Sequence, residues 1–173
     1  MTDKYRASIA AWLRALAALS LAVGLASCGP TGESKQMPGE ITLEEAKSKL
    51  LTLQHKIIEM VPADLVISVF ENETSSLMPC TGDQKKWNGT GQVELRPGLD
   101  RTTFLDDVRD MVLNEPGWTA NDGADGDGAR HVDIRHDDGT HLVVGIWDGP
   151  ESLQIDSFSA CFDLPEYQYG TEY

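Results

Sequence analysis

The stretch from Arg130 to Trp147 constrains the fold most, because its apolar residues share a face in only one of two short-loop registers. Asp137-Asp138-Gly139 is a turn signal between two β-rich runs. With a two-residue loop, Val132 and Ile134 share a face with His141 and Val143. Leu142, Val144 and Ile146 then fall with Asp133 and Arg135. With a three-residue loop and Gly139 in the left-handed conformation, His136 pairs with Thr140 instead. Val132, Ile134, Leu142, Val144 and Ile146 then line one face, and only this register makes a coherent core.

The other elements follow from periodicity and punctuation. Thr42-Leu43-Glu44-Glu45 is a capping box, in which hydroxyl and carboxylate each satisfy an orphaned amide. Leu43, Ala46, Leu50, Leu53, Ile57 and Met60 follow at helical spacing, and Pro62 ends the run. That stripe is too short for a lasting coiled coil and reads as packing on the chain's own sheet. Leu65–Phe70 is apolar on both faces and reads as a central strand. Gln92–Leu95 alternates as a shorter strand. A second helix is predicted from Arg101 to Asn114, with Asp100 as N-cap and Phe104, Leu105, Val108, Met111 and Val112 on one face. Glu115-Pro116-Gly117 stops it. A last strand spans Leu153–Phe162, and its broken alternation between Ile155 and Phe158 suggests a bulge near Asp156. The expected order is α-β-β-α-β-β-β. This is an α+β two-layer sandwich, a mainly antiparallel five-stranded sheet with two helices on one face.

The N-terminal region bears on address rather than fold. Lys4, Arg6 and Arg14 precede an apolar run from Ala15 to Leu25 that is too short to span a bilayer. Leu25-Ala26-Ser27-Cys28 then matches a bacterial lipobox, in which the Cys28 thiol takes the diacylglycerol before cleavage. Residues 1–27 therefore read as a signal peptide, and residues 28–40 as a lipidated cysteine and Gly/Pro-rich tether. Residues 41–165 read as one extracytoplasmic domain and residues 166–173 as a C-terminal tail. The expected location is the outer face of the cell membrane, held by acyl chains at Cys28; two or more chains are needed for stable anchoring. Of the three cysteines, assigning Cys28 to lipid leaves Cys80 and Cys161. In an oxidising compartment that even pair reads as a disulfide closing a loop of about 80 residues. Two reactive or metal-binding thiols are the alternative, and no C-x-x-C supports it.

Charge excludes some partners. The chain has 14 Lys and Arg against 28 Asp and Glu, a net charge of −14. This argues against nucleic acid, whose binders carry a basic footprint, and against a surface that hugs anionic headgroups. Chemistry finds little foothold. His131, His136 and His141 are spaced so that neighbours fall on opposite faces or too far apart for one ion, so no metal site is expected. Asn121–Gly128 is rich in Asp and Gly, but in EF-hand register Gly123 and Ile134 occupy the first and last ligand positions. A helix-to-strand loop is the better reading there, with a calcium site as the alternative. No nucleophile elbow, P-loop or dinucleotide motif occurs, and no catalytic residue or cofactor is implied. Trp87, flanked by Lys85 and Lys86 in a glycine-bearing loop, is the candidate for an exposed contact with a sugar, lipid or protein. Its bland reading is packing beside the disulfide.

The lipobox cysteine, polar tether, half-cystine after the first strand, Gly117-Trp118, Asp138-Gly139 hairpin and Ser159-Ala160-Cys161-Phe162 ending together resemble small actinobacterial lipoproteins of the LppA-like type. The resemblance implies an α+β domain with a disulfide on the outer side of the envelope, and implies no activity. The expected function is thus a lipid-anchored, non-enzymatic domain that binds a ligand or partner: an envelope protein, a lipid or cell-wall material. The alternative is a structural or surface domain without a small-molecule site; an enzyme ranks below both.

Overall fold

Helix α1 (Leu43–Glu59) starts at the expected capping box. Thr42 Oγ1 accepts the Glu45 N–H at 3.0 Å, and the Glu45 carboxylate accepts the Thr42 N–H at 3.0 Å. The computed structural model describes residues 41–148 and 151–173. The signal segment with Leu25, Ala26 and Ser27, the acylation cysteine Cys28 and the tether to residue 40 lie outside the described residues. No helix of the described residues is long and apolar enough to cross a membrane.

The remaining elements are β1 (Val66–Glu71), β2 (Met78–Pro79), β3 (Lys85–Lys86), β4 (Asn88–Leu95), α2 (Arg101–Leu113), β5 (Trp118–Ala124), β6 (Arg130–His136), β7 (His141–Trp147) and β8 (Ser152–Phe158). Six of the strands form one sheet in the order β1-β4-β8-β7-β6-β5, with every neighbouring pair antiparallel. The short β2 and β3 pair with each other. The fold is α+β as expected, but with six sheet strands and a two-stranded ribbon rather than five strands.

The β6–β7 hairpin takes the three-residue loop. His136 N–H donates to Thr140 O at 2.9 Å, Gly139 has φ +92°, and Ile134 opposes Leu142. Val132, Ile134, Leu142, Val144 and Ile146 are all buried. Opposed residues share a face, so Glu71, Gly91, Ile155, Val144, Val132 and Asp122 form one row across all six strands. Helix α1 packs on this face over β4 and β8, and α2 over β5, β6 and β7.

Four expectations are corrected. First, β1 is an edge strand rather than a central one. Its two apolar faces reflect partial cover by α1 and exposure on the other side, not burial between layers. Second, β8 has no bulge at Asp156; its register with β4 and β7 is continuous. The inward slot after Ile155 is filled by the buried hydroxyl of Ser157, while Phe158 faces outward and stacks on His141. The bulge lies in β1, between Val66 and Ser68. Third, Trp118–Ala124 is a strand, so Asn121–Ala124 is not a loop. Its Asp, Asn and Gly residues hid it, because pairing with β6 rather than side-chain burial holds it in place. Fourth, residues 166–173 are not a free tail. Tyr173 exchanges backbone hydrogen bonds with Ser75 at 2.9 and 3.0 Å, and its ring stacks on Tyr167.

Cys80 and Cys161 stand at disulfide distance, with Cα atoms 6.2 Å apart. The link ties the β2–β3 ribbon to the chain just after β8. Beside it, Lys85 and Phe162 exchange two backbone hydrogen bonds of 2.9 Å.

Candidate functional site

The buried face of α1 is centred differently from the apolar stripe. Leu53 and Met60 are only half-buried, while Gln54 is fully buried. The reason lies in β4, where Gly89 and Gly91 remove side chains from the sheet under the helix. A Cβ on Gly91 would sit 3.1 Å from Gln54 Cδ, and one on Gly89 only 2.4 Å from Ser157 Oγ. The helix comes close enough for its amide to lie on the strand, where a buried polar group must find partners. Ser157 Oγ donates to Gln54 Oε1 at 2.9 Å, and Gln54 Nε2 donates to Glu71 Oε1 at 3.1 Å.

That string of hydrogen bonds leads out to an open groove of about 1010 Å³ between α1 and the end of β1. Lys47, Leu51, His55 and Glu59 line it on the helix side, and Glu71 and Glu73 on the strand side. His55 bridges the two walls: Nδ1 is 3.2 Å from Glu71 Oε2, and Nε2 is 3.3 Å from Glu59 Oε1. The hydrogen bond to Glu71, then the charges of Glu71 and Glu59, raise the His55 pKa above its ordinary value.

From the Glu71 end of the groove the edge of β1 runs back along the strand, and no described strand pairs with it. Ile67, Val69 and Phe70 are 51%, 49% and 57% exposed, which is unusual for large apolar residues clustered on one strand. Asn72 N–H donates to Thr90 O at 3.2 Å, which sets the phase of the ladder. Phe70 therefore turns its backbone toward β4, while Val69 and Glu71 turn their N–H and C=O groups away from the sheet.

The sequence-predicted candidates lie elsewhere. Trp87 is fully buried, so it is not an exposed contact. Its Nε1–H donates to Tyr173 O at 2.9 Å, and Lys47 Nζ sits 4.9 Å above its ring. Neighbouring Lys85 and Lys86 cover Tyr167 and Phe158 instead. In the Asp/Gly stretch, Asp122 accepts from Arg130 Nε at 2.7 Å and Arg109 at 3.0 Å. Asp125 accepts from Trp147 Nε1 at 2.9 Å and from the Ala129 and Asp127 amides at 2.8 and 3.0 Å. Those hydrogen bonds, Trp147 first, lower its pKa. These oxygens serve protein donors. His131, on the outer face, lies over Gly123; His136 packs on Trp118, 4.7 Å between ring centres; His141 meets Asp133 at 2.9 Å. In the sequence the groove leaves only two separate traces, a glutamine beside the α1 stripe and Gly89-Thr90-Gly91, and only the structure brings them face to face.

A second ionic cluster is structural. Lys49 Nζ lies 2.5 Å from Asp138 Oδ2, and Asp138 Oδ1 accepts the Thr140 N–H at 2.9 Å. Partial burial disfavours the charged form of Asp138, yet Lys49 and the Thr140 amide override it and hold the carboxyl far below the usual carboxylate range. A depressed folded pKa stabilises the fold above the unfolded carboxylate pKa of about 3.9, and that stability drains away as pH falls below it. Lys49→Met is expected to cost about 1 kcal/mol at neutral pH, since both side chains are about a third exposed. Urea unfolding should show that difference shrinking below about pH 4; a difference that stays constant with pH rules out the pair as its source.

No family model matches the chain, nor does any curated protein or solved structure.

Proposed function

We propose that this chain is an envelope lipoprotein, anchored through acyl chains on Cys28, whose extracytoplasmic domain captures an extended polypeptide segment by strand addition to β1. The observation that carries the binding reading is the edge of β1, which pairs with no other described strand and leaves Ile67, Val69 and Phe70 about half exposed on a strand whose Glu71 end reaches the α1 groove. An apolar edge strand left open invites another chain, and proteins that do not use such edges blunt them. The β1 bulge twists one end of the edge, but no Lys or Pro lies within Val66–Glu71 to block it. The anchor reading rests on Leu25-Ala26-Ser27-Cys28 following an apolar segment, on a cysteine pair at disulfide distance, and on the resemblance to LppA-like lipoproteins. The non-enzymatic reading rests on the sequence, which carries no nucleophile elbow, P-loop or dinucleotide motif.

Strand addition predicts a specific response. On titration with an extended octapeptide of alternating Val and Ser, the Val69 and Glu71 amides should shift in NMR spectra and become protected from exchange. Val69→Pro deletes an outward N–H where an edge tolerates proline. It should weaken binding at least about tenfold while changing stability by no more than about 0.5 kcal/mol. Equal affinity of Val69→Pro, or shifts confined to other surfaces, would show that β1 is not the docking edge.

A further inference from the structure

Resting on strand addition at β1, we infer that the α1–β1 groove selects a basic extended segment, with Lys or Arg on alternate positions flanking an apolar residue. A strand laid outside β1 sends every second side chain toward the helices, one per roughly 6.7 Å. Helix α1 offers one groove-facing position per turn, roughly 5.4 Å. The two repeats differ by about 1.3 Å per step, so over two turns they stay within about 3 Å, a gap that a long Lys or Arg side chain can span. Glu44 and Glu59 stand at the ends of the helical wall, with Leu51 and Thr52 between them. Glu71 and Glu73 close the wall on the strand side.

The groove's own cations offset these carboxylates only in part, since Glu44, Glu59, Glu71 and Glu73 line it against Lys47, Lys56 and His55. Lys47 Nζ is held by the backbone oxygens of Glu73 and Tyr173 above the Trp87 ring. Lys56 lines the groove but pairs at 3.5 Å with Glu115, which is not part of it. His55 lies 3.3 Å from Glu59 and 3.2 Å from Glu71, and in either protonation state it carries at most one positive charge against their two negative ones. A second copy of this chain is the poorer occupant. It would bring its own Glu71 and Glu73 to the same edge, and each chain carries a net charge of −14. A basic strand gains from the same charges that repel a copy.

The test uses the full-length protein and three octapeptides, alternating Val with Lys, Val with Ser and Val with Glu, followed by calorimetry and by the Val69 and Glu71 amide signals. The Val–Lys peptide should bind at least about tenfold tighter than Val–Ser near 10 mM salt, with Val–Glu weakest, and the advantage should shrink by about 300 mM. The triple variant Glu44→Gln, Glu59→Gln, Glu73→Gln should lose the Val–Lys advantage and keep Val–Ser affinity. All three residues are exposed, so the fold should not change. Equal affinities with Val69 shifting for every peptide would leave strand addition standing and overturn charge selection. Val–Lys binding that shifts other acidic surfaces instead would overturn it too. Silence of Val69 and Glu71 with all three peptides would overturn both readings.

Discussion

Trp87→Ala lowers the stability of the domain by about 3–5 kcal/mol, the largest effect expected of any single side-chain truncation here. Trp87 is fully buried and among the largest such side chains. Its backbone N–H donates to Ser159 Oγ at 3.0 Å, and its indole N–H reaches Tyr173 O. Gly89 packs against the ring so closely that an added Cβ would lie 2.8 Å from it. Removing the indole opens a cavity that the rigid strands around it cannot close, and it unpins the segment that returns to Ser75. Trp87→Phe separates the two contributions. It keeps most of the apolar contact and loses the hydrogen bond, so it should cost less, about 1–3 kcal/mol. Guanidinium unfolding of the oxidised protein measures both. A cost under about 1 kcal/mol for Trp87→Ala would mean that the indole is not packed as described.

Removing the disulfide acts on the other side of the equilibrium. The cysteines are separated by 81 residues, a loop that includes β4, α2 and most of the sheet. On the chain-entropy argument, opening such a loop frees the unfolded ensemble by about 4 kcal/mol. Domains of this size are stable by about 5–15 kcal/mol, so the double variant Cys80→Ser, Cys161→Ser should unfold at a much lower denaturant concentration. The native contacts should change little, because Lys85 and Phe162 still pair through their backbones. Intact mass of the membrane-extracted protein, with and without reduction, tests this together with the anchor. Residues 28–173 plus acyl chains, with two thiols appearing only on reduction, is the expected result. A mass without lipid would remove the anchor reading, and free thiols before reduction would remove the bridge.

Local signals were legible where local chemistry decides the outcome. The capping box at Thr42, the Asp100 cap and the β6–β7 register all involve groups within a few residues of each other. The candidate site was not legible in that way. Trp87 was a candidate exposed contact because charged and glycine neighbours surround it in the sequence, with packing beside the disulfide as the favoured reading; in space Lys47 and Tyr173 close over it. Gln54 lies off the apolar stripe of α1, and nothing near it in the chain announces Gly91 beneath it or Ser157 beside it.

The sequence by itself determined which side chains of the β6–β7 hairpin share a face, where the helices begin and end, and that Cys80 and Cys161 are the two cysteines left to pair. Parity along a strand, capping groups and cysteine arithmetic are properties of the covalent chain. Only the tertiary structure decided the order of strands. Among the described residues it set β4 between β1 and β8, left Ile67, Val69 and Phe70 on an edge strand, and gave the polar Trp118–Ala124 a place as the opposite edge strand. A strand's residues specify its faces, whereas its neighbours are chosen by backbone hydrogen bonds that every sequence can make. The groove exists because that choice put an apolar strand at the rim, beside a helix drawn in by two glycines.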